Sequence, residues 1–152
     1  MNKESVESYW QAFLEEAGLP PETKYYTCEY FGNEEIADEL LALIQAGTKT
    51  ATCGCKLSYD AEGERLPQAG DLSIVTSFAG KPGCVIRTTK VTVLPFTEVT
   101  WDMARLEGED SNLQTWVDGH RRFFEREAVH YGFNFSDSTP VVFEEFTVIY
   151  QQ

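Results

Sequence analysis

The residues with the clearest capacity for chemistry are a lysine and the threonines around it, in the stretch GTKTAT at positions 47–52. A threonine hydroxyl becomes a nucleophile when a neighbouring base takes its proton, and a neutral lysine amine can be that base. A free lysine has a pKa of about 10.4, so burial would first have to lower it. A nearby carboxylate would instead keep Lys49 charged, and the lysine would then bind an oxyanion or a phosphate. The residue types leave both roles open.

The spacing of these residues restricts the backbone around them. In a regular strand Lys49 shares a face with Ala51, while Thr50 and Thr52 share the other face. Lys49 can therefore approach Thr52 only if the chain turns here, and a helix end at Gly47 would supply that turn. The alternative interpretation is a lysine stabilised by the dipole of a helix C-terminus and followed by ordinary strand threonines.

Hydrophobic periodicity and turn residues predict the elements that must position this stretch. Helices are predicted at 5–17, from Asn33 to Gly47, at 98–106 and from 110 or 111 to 131. Strands are predicted at 24–31, 52–57, 72–78, 84–94 and 141–150. The order is α β α β β β α α β. It predicts an α+β fold in which a small, partly antiparallel β-barrel is flanked by helices.

Length and composition favour one globular domain over residues 1–152, in which residues 1–23 are an N-terminal helical extension. Hydrophobic residues make up 42% of the 152 residues, as in ordinary globular proteins. No apolar run approaches the roughly 20 residues that a membrane span needs. The N-terminal residues also lack the apolar core of a signal peptide, so we expect a soluble cytoplasmic protein.

The net charge of −13 is unevenly distributed along the chain. Residues 47–94 carry six basic and four acidic side chains, a net of +2, between two acidic flanks. This pattern favours a compact polar or anionic ligand over a long stretch of duplex. The alternative is that the acidity serves only solubility.

The four cysteines and two histidines show no spacing typical of a zinc site. We therefore expect reduced, structural cysteines and no cofactor. His120 is most simply a residue at the edge of the core that is satisfied by a carboxylate, and Trp116 a core residue.

An ordered set of motifs resembles the ASCH domain family, which is related to the PUA-like β-barrels. The resemblance runs from about residue 24 to Tyr150 and is centred on AGTKTAT at 46–52, which resembles the family's G-x-K-x-x-T. The other matching segments are PQAGDL at 67–72, VIRTTKV at 85–91, Pro95-Phe96, EGE at 107–109, Trp116, His120, Phe123-Phe124, PVV at 140–142 and Phe146.

The resemblance implies a cleft beside the barrel that handles RNA or a nucleoside. One bacterial branch of the family hydrolyses the acetyl amide of N(4)-acetylcytidine with a lysine, a threonine three residues later and a downstream glutamate. The matching residues here are Lys49, Thr52 and Glu107. In this hypothesis Thr52 attacks the amide, Lys49 activates it or holds the oxyanion, and Glu107 orients the lysine or shuttles a proton. That branch commonly carries an arginine at the position that Gly54 occupies here.

The alternative is an RNA-binding module or a metal-dependent ribonuclease that uses the same cleft. Arg87 and Lys90 would contact phosphates, and Tyr26 could stack on a base. Gly47 and Thr50 complete the predicted ligand-binding set. A divalent metal is expected only under the ribonuclease alternative, and its candidate ligands are Asp102, Glu107, Glu109 and Asp110. The expected partner is a nucleoside or single-stranded RNA, with no membrane, and the oligomeric state stays open.

Overall fold

Among residues 3–151, five strands form one mixed sheet that curls into a half-barrel. The computed structural model describes residues 3–151, and its strands follow the spatial order β1-β3-β4-β5-β2. The pair β1 and β3 is parallel, and every other pair is antiparallel. The predicted α+β fold with a mixed barrel-like sheet is confirmed. The strands are Cys28–Glu29 (β1), Ala51–Cys55 (β2), Leu72–Thr76 (β3), Pro82–Pro95 (β4) and Pro140–Tyr150 (β5).

In the part of the chain that the structure describes, five α-helices pack around this sheet. They are Lys3–Ala17 (α1), Ala37–Gln45 (α2), Lys56–Glu62 (α3), Trp101–Ala104 (α4) and Leu113–Tyr131 (α5). Short 3-10 turns at Phe96–Glu98 and Arg105–Glu107 flank α4. None of the helices in the described part of the chain is long and apolar enough to cross a membrane.

Three predicted elements differ most from the structure, and α2 begins at Ala37 and not near Asn33. The helix α3 replaces the predicted extended end of β2 and the turn that follows it. A helix of seven residues is too short to show a clear hydrophobic periodicity in the sequence. A tertiary contact stabilises it, because the Ser58 hydroxyl donates to Glu127 of α5 at 3.1 Å. The strand predicted at 24–31 shortens to two residues. The helix predicted at 98–106 is broken, and its α-helical part is only the four residues of α4, capped by Thr100.

Helices bury apolar side chains on both sides of the sheet. On one side, α1 packs Val6, Trp10, Phe13 and Leu14 against Ile74, Val85 and Tyr150, and Trp116 and Phe124 of α5 pack with Phe96 against β2 and β5. On the other side, Ile44 of α2 packs with Val75, Ile86 and Phe146. Burying large aromatic side chains in this way is the main source of the stability of such a layer.

The alternation of β2 decides which side chains reach the site. Ala51, Cys53 and Cys55 are buried in the core beneath α5, so Thr52 and Gly54 point to the opposite face of the sheet. Thr52 lies directly across from Glu144 of β5 in the antiparallel ladder. Side chains opposite each other on one face are neighbours, so the threonine and this glutamate share the open face of the half-barrel.

Candidate functional site

The turn that the sequence predicts at the end of α2 is present. Gly47 follows the helix with φ +79°, a left-handed conformation that glycine adopts without strain. The backbone amides of Thr48 and Lys49 both donate to the carbonyl of Leu43, at 3.0 and 3.1 Å. The chain therefore turns at positions 46–49, and the strand begins only at Ala51.

The Lys49 side chain is buried beside two carboxylates. Only 1% of it is exposed, and its Nζ donates to the Ala51 carbonyl at 2.8 Å, Glu107 Oε1 at 3.1 Å and Glu109 Oε2 at 2.8 Å. A charged ammonium has three N–H donors, so every donor has an acceptor. This environment differs from that of an exposed lysine at a helix end.

The same contacts set the charge of Lys49. Burial alone would lower its pKa, but the carboxylates of Glu107 and Glu109 outweigh burial and raise the pKa above its ordinary value. Lys49 is therefore an ammonium at neutral pH. Of the two roles that the sequence leaves open, this environment favours the electrostatic clamp over the general base.

Glu107 is the centre of a buried hydrogen-bond network. Its Oε1 accepts from Lys49, and its Oε2 accepts from the Trp116 indole at 2.8 Å and lies 3.3 Å from His120 Nε2. Burial would raise the pKa of Glu107, but Lys49 and the hydrogen bonds from His120 and Trp116 lower it to about 2. With both oxygens occupied, Glu107 stays ionised and holds the lysine in place.

His120 and Trp116 have the places that the sequence predicts. Trp116 is completely buried, and the His120 ring stacks on it with 4.0 Å between ring centroids. His120 Nδ1 lies 2.9 Å from the Trp116 carbonyl, so both ring nitrogens face an oxygen. The predicted histidine at the edge of the core, satisfied by a carboxylate, is confirmed.

Glycine at position 108 allows the segment 107–109 to approach the turn at positions 46–49. Gly108 has φ +72°, and a Cβ there would lie 2.5 Å from the Thr48 carbonyl oxygen. This close approach places Glu107 and Glu109, on either side of the glycine, at the Lys49 ammonium. The EGE motif therefore has a geometric reason for its central residue.

Glu109 is the site residue that the sequence reasoning missed. The sequence named it only as a possible metal ligand, yet its side chain binds Lys49 directly and remains 23% exposed. Burial and the nearby Glu107 raise its pKa, although Lys49 opposes them. The sequence does show Glu109 two residues after Glu107, with a glycine between them. Acids in such a turn are usually exposed to water, so this spacing alone does not indicate a contact with Lys49.

The predicted catalytic residues line one cavity, which we call the lysine pocket. It has a volume of about 270 Å³ and is lined by Lys49, Thr52, Glu107, Glu109, His120 and Arg126, among other residues. The structure therefore brings a threonine hydroxyl, a buried ammonium and two carboxylates to the wall of one space. Such a set can bind a carbonyl oxygen and move a proton beside it.

A second cavity of about 240 Å³ adjoins the lysine pocket, and Thr52, Cys53, Gly32 and Phe123 line both. We call it the carboxylate cleft, because five glutamates line it: Glu29, Glu62, Glu64, Glu127 and Glu144. The predicted ligand residue Tyr26 also lines this cleft. Its hydroxyl donates to the Arg65 carbonyl, and the Arg65 guanidinium lies 4.1 Å from the centroid of its ring.

The remaining predicted ligand residues lie elsewhere. Gly47 and Thr50 line a separate recess beside Phe146, and the Thr50 hydroxyl donates to the Leu106 carbonyl at 3.2 Å. Arg87 and Lys90 are exposed on β4 and line neither the lysine pocket nor the carboxylate cleft. Their role in ligand binding stays a prediction.

Three of the four acids named as candidate metal ligands already face a cationic side chain. Glu107 and Glu109 both face the Lys49 ammonium, which occupies the position that a cation would need. The Asp102 side chain is 91% exposed and lies 3.5 Å from Arg105. Among residues 3–151, no group of three or more histidines, cysteines and acids has the arrangement of a metal site.

Comparison with known proteins identifies the family. The family model of the ASCH domain matches residues 27–150. This chain belongs to the ASCH domain family. A solved ASCH domain from Lactobacillus crispatus JV V101 is 32% identical, with a TM-score of 0.84 and 96% of each chain covered. No curated protein matches the chain.

A second solved structure shares the fold of this ASCH protein. It is a protein from Enterococcus faecalis V583 described as a member of DUF984, and it is 33% identical to this chain. The TM-score is 0.89, over 97% of this chain and 90% of the other. The match extends to nearly the whole chain and so includes residues on the N-terminal side of the family match.

Proposed function

We propose that this ASCH protein hydrolyses the acetyl amide of a modified nucleoside such as N(4)-acetylcytidine. The observation that carries the proposal is the lysine pocket, in which a buried, charged Lys49 and the Thr52 side chain line the same space. The family resemblance supports the same three residues, Lys49, Thr52 and Glu107. The broader family is generally associated with RNA, and the nucleoside substrate is specific to this proposal.

In the proposed reaction, the Thr52 oxygen attacks the acetyl carbonyl carbon, and Lys49 stabilises the oxyanion that forms. The bond between that carbon and the N4 nitrogen then breaks, and cytidine leaves as its nitrogen takes up a proton. Water hydrolyses the acetyl ester on Thr52 and releases acetate. Because all three Lys49 donors are engaged, one partner must yield to the oxyanion. The partly exposed Glu109 is the partner best placed to do so.

The two glutamates would have different roles in this reaction. Glu109 has a raised pKa and contact with the cavity, so it suits a group that takes the threonine proton and returns it to the leaving nitrogen. Glu107 has a lowered pKa and two engaged oxygens, so it suits a positioning residue. The proposal therefore assigns to Glu107 the orienting role, and to Glu109 the proton shuttle.

Three observations favour a nucleoside over an RNA strand as the ligand of the lysine pocket and the adjoining carboxylate cleft. The carboxylate cleft continues directly from Thr52 and would repel phosphates. Arg87 and Lys90, the predicted phosphate contacts, lie outside both cavities. Glu107 and Glu109 both bind the Lys49 ammonium, so neither is free to hold the divalent metal of the ribonuclease alternative.

The direct test compares two substitutions at Thr52 in a chromatographic assay of cytidine release from N(4)-acetylcytidine. Thr52→Val keeps the shape but removes the hydroxyl, so we expect at least about a 100-fold loss of kcat/KM. Thr52→Ser keeps the nucleophile and should retain most activity. Equal activity of wild type and Thr52→Val would contradict the proposal.

A salt titration separates the proposal from its alternative. Turnover of a neutral nucleoside should hardly change with salt, whereas binding to single-stranded RNA weakens steeply as salt is added. Salt-sensitive RNA binding without cytidine release would replace the amidohydrolase proposal with the RNA-binding alternative.

A further inference from the structure

The strand β2 has one edge that no other strand covers, which we call the open edge. It lies at the end of the sheet, and in the described part of the chain its strand partner is β5 alone. In an antiparallel pair, hydrogen-bonded residues alternate with residues whose main-chain groups point away from the partner. The Phe146 amide donates to the Thr50 carbonyl at 3.0 Å, which fixes this alternation. Thr52 therefore bonds to β5, and the main-chain groups of Ala51 and Cys53 point to the open edge.

The open edge faces the lysine pocket. The Ala51 carbonyl accepts from Lys49 Nζ at 2.8 Å, so the edge begins at the buried ammonium. Cys53 is the next residue with the same orientation, about 7 Å further along the strand. Its thiol side chain packs in the core beneath α5. Cys53 nevertheless lines both the lysine pocket and the carboxylate cleft, and its main chain is the part that is directed toward them.

The amide N–H of Cys53 is available to a ligand. It does not donate to β5, and it has no acceptor among the turns, loops and side chains of residues 3–151. Only 9% of Cys53 is exposed, and main-chain donors at this depth are paired in the great majority of cases in folded proteins. An unpaired donor at the wall of a cavity therefore points to an acceptor on a bound molecule.

This N–H lies between the groups that the proposed reaction uses. The proposed nucleophile Thr52 is the preceding residue and lines the same pocket. A main-chain N–H directly after a nucleophile recurs as an oxyanion donor in hydrolases, because the oxygen of the attacked carbonyl comes to lie beside it. On the other side, the Lys49 ammonium is held at Ala51, the previous residue of the open edge. A carbonyl oxygen placed between the two would face an N–H donor and a positive charge.

Lys49 alone does not supply a complete site for this oxygen. Its three donors are engaged by the Ala51 carbonyl, Glu107 and Glu109. The ammonium therefore stabilises an oxyanion through its charge, and it can donate a hydrogen bond only after one of these partners yields. The Cys53 N–H has no such partner in the described part of the chain, so it can bind the oxygen without rearrangement.

We propose that the main-chain N–H of Cys53 and the Lys49 ammonium form the oxyanion hole of the lysine pocket, with the Cys53 N–H as the donor that binds the carbonyl oxygen directly. As the Thr52 oxygen attacks, the carbonyl oxygen takes the negative charge of the tetrahedral intermediate. The hydrogen bond from Cys53 strengthens as that charge forms, so it favours the transition state over the bound substrate. The inference rests on the amidohydrolase proposal, since it assigns a further catalytic group to the same reaction.

The test removes this N–H from the full chain. Cys53→Pro lacks the amide hydrogen, and proline is tolerated at a strand edge where the N–H makes no ladder bond. We expect its kcat for N(4)-acetylcytidine to fall about 100-fold or more, with little change in KM. Cys53→Ala keeps the N–H and is the matched control, which should retain most of the wild-type kcat. If Cys53→Pro does not fold, an α-hydroxy acid introduced at position 53 replaces the N–H by an ester oxygen and removes the same donor.

A thioacyl substrate separates hydrogen bonding from a structural effect. Sulfur accepts hydrogen bonds weakly, so wild type should prefer N(4)-acetylcytidine over its thioacetyl analogue by more than alkaline hydrolysis does. Loss of the Cys53 N–H should reduce this preference at least about tenfold. An unchanged preference, or a variant without the N–H that is as active as Cys53→Ala, would overturn the inference and leave the amidohydrolase proposal standing. No cytidine release by the wild type would contradict that proposal and the inference with it.

Discussion

At the scale of single residues, the charge of Lys49 is determined by the groups that bind its side chain. An ammonium with three engaged donors is well solvated by the protein, and the two carboxylates keep it charged. Of the two ion pairs of Lys49, the one with Glu107 is the more deeply buried, since 1% of the Lys49 side chain and 2% of the Glu107 side chain are exposed. Because both charges are out of water, removal of either one leaves the other without its partner.

Glu107→Gln should lower the free energy of unfolding by about 3 kcal/mol, because it leaves Lys49 with one carboxylate and breaks the network to Trp116 and His120. Chemical denaturation with urea measures this change. Glu98→Gln is the control and should change stability by less than about 0.5 kcal/mol. A Glu107→Gln variant as stable as the control would contradict a structural role for the buried pair.

The sequence predicts Lys49, Thr52 and Glu107 through the family motif, and the structure places all three on one cavity. It does not predict the contact of Glu109 with Lys49, because residues 60 positions apart meet only through the tertiary fold. It also gives no sign that Thr52 and Glu144 are neighbours, since the register of β2 against β5 decides that pairing.

At the scale of elements, the site depends on two connections with glycines in left-handed conformations. Gly47 ends α2 so that Lys49 turns inward, and Gly108 ends a 3-10 turn so that Glu107 and Glu109 reach it. The sequence signals the first because glycine follows a clear apolar helix. It gives no such signal for α3, which is short and depends on contacts with α5.

Gly108→Ala should destabilise the protein by about 2 kcal/mol or more, because the new Cβ would collide with the Thr48 carbonyl at 2.5 Å and the backbone has a positive φ. Gly119→Ala is the contrasting variant. Gly119 lies inside α5, where a Cβ has no neighbour within 4 Å, so alanine should stabilise by about 0.5–1 kcal/mol. Thermal unfolding of the two variants measures both changes in stability. A change in the same direction in both variants would contradict the prediction.

At the scale of the whole molecule, crowded carboxylates determine how stability changes with pH. Glu29, Glu109, Glu127 and Glu144 all have raised pKa values in the fold. Groups of this kind bind protons more tightly in the folded than in the unfolded state. Their stabilising contribution is complete below their unfolded pKa and is lost as the pH rises through the folded value. The pKa of Glu107 is lowered in the fold, so its stabilising contribution is lost only at more acidic pH, as the pH falls through the folded value.

The free energy of unfolding should therefore fall as the pH rises from about 5 to about 8, in urea denaturation series. Glu29→Gln should flatten the part of this curve near neutrality, because the pKa of Glu29 is about 7. Glu15→Gln, on the exposed side of α1, is the control and should leave the slope unchanged. A free energy of unfolding that rises over the same pH interval would contradict the raised pKa values of these glutamates.

The central claim is that Thr52 becomes acetylated in the lysine pocket. Its most direct test is rapid quenching of wild-type protein with N(4)-acetylcytidine, followed by mass spectrometry of the peptide that contains residue 52. We predict a transient acetyl group on Thr52 that appears with cytidine release and is absent from Thr52→Val. Cytidine release that is equally fast in Thr52→Val, or no release by the wild type, would contradict the claim.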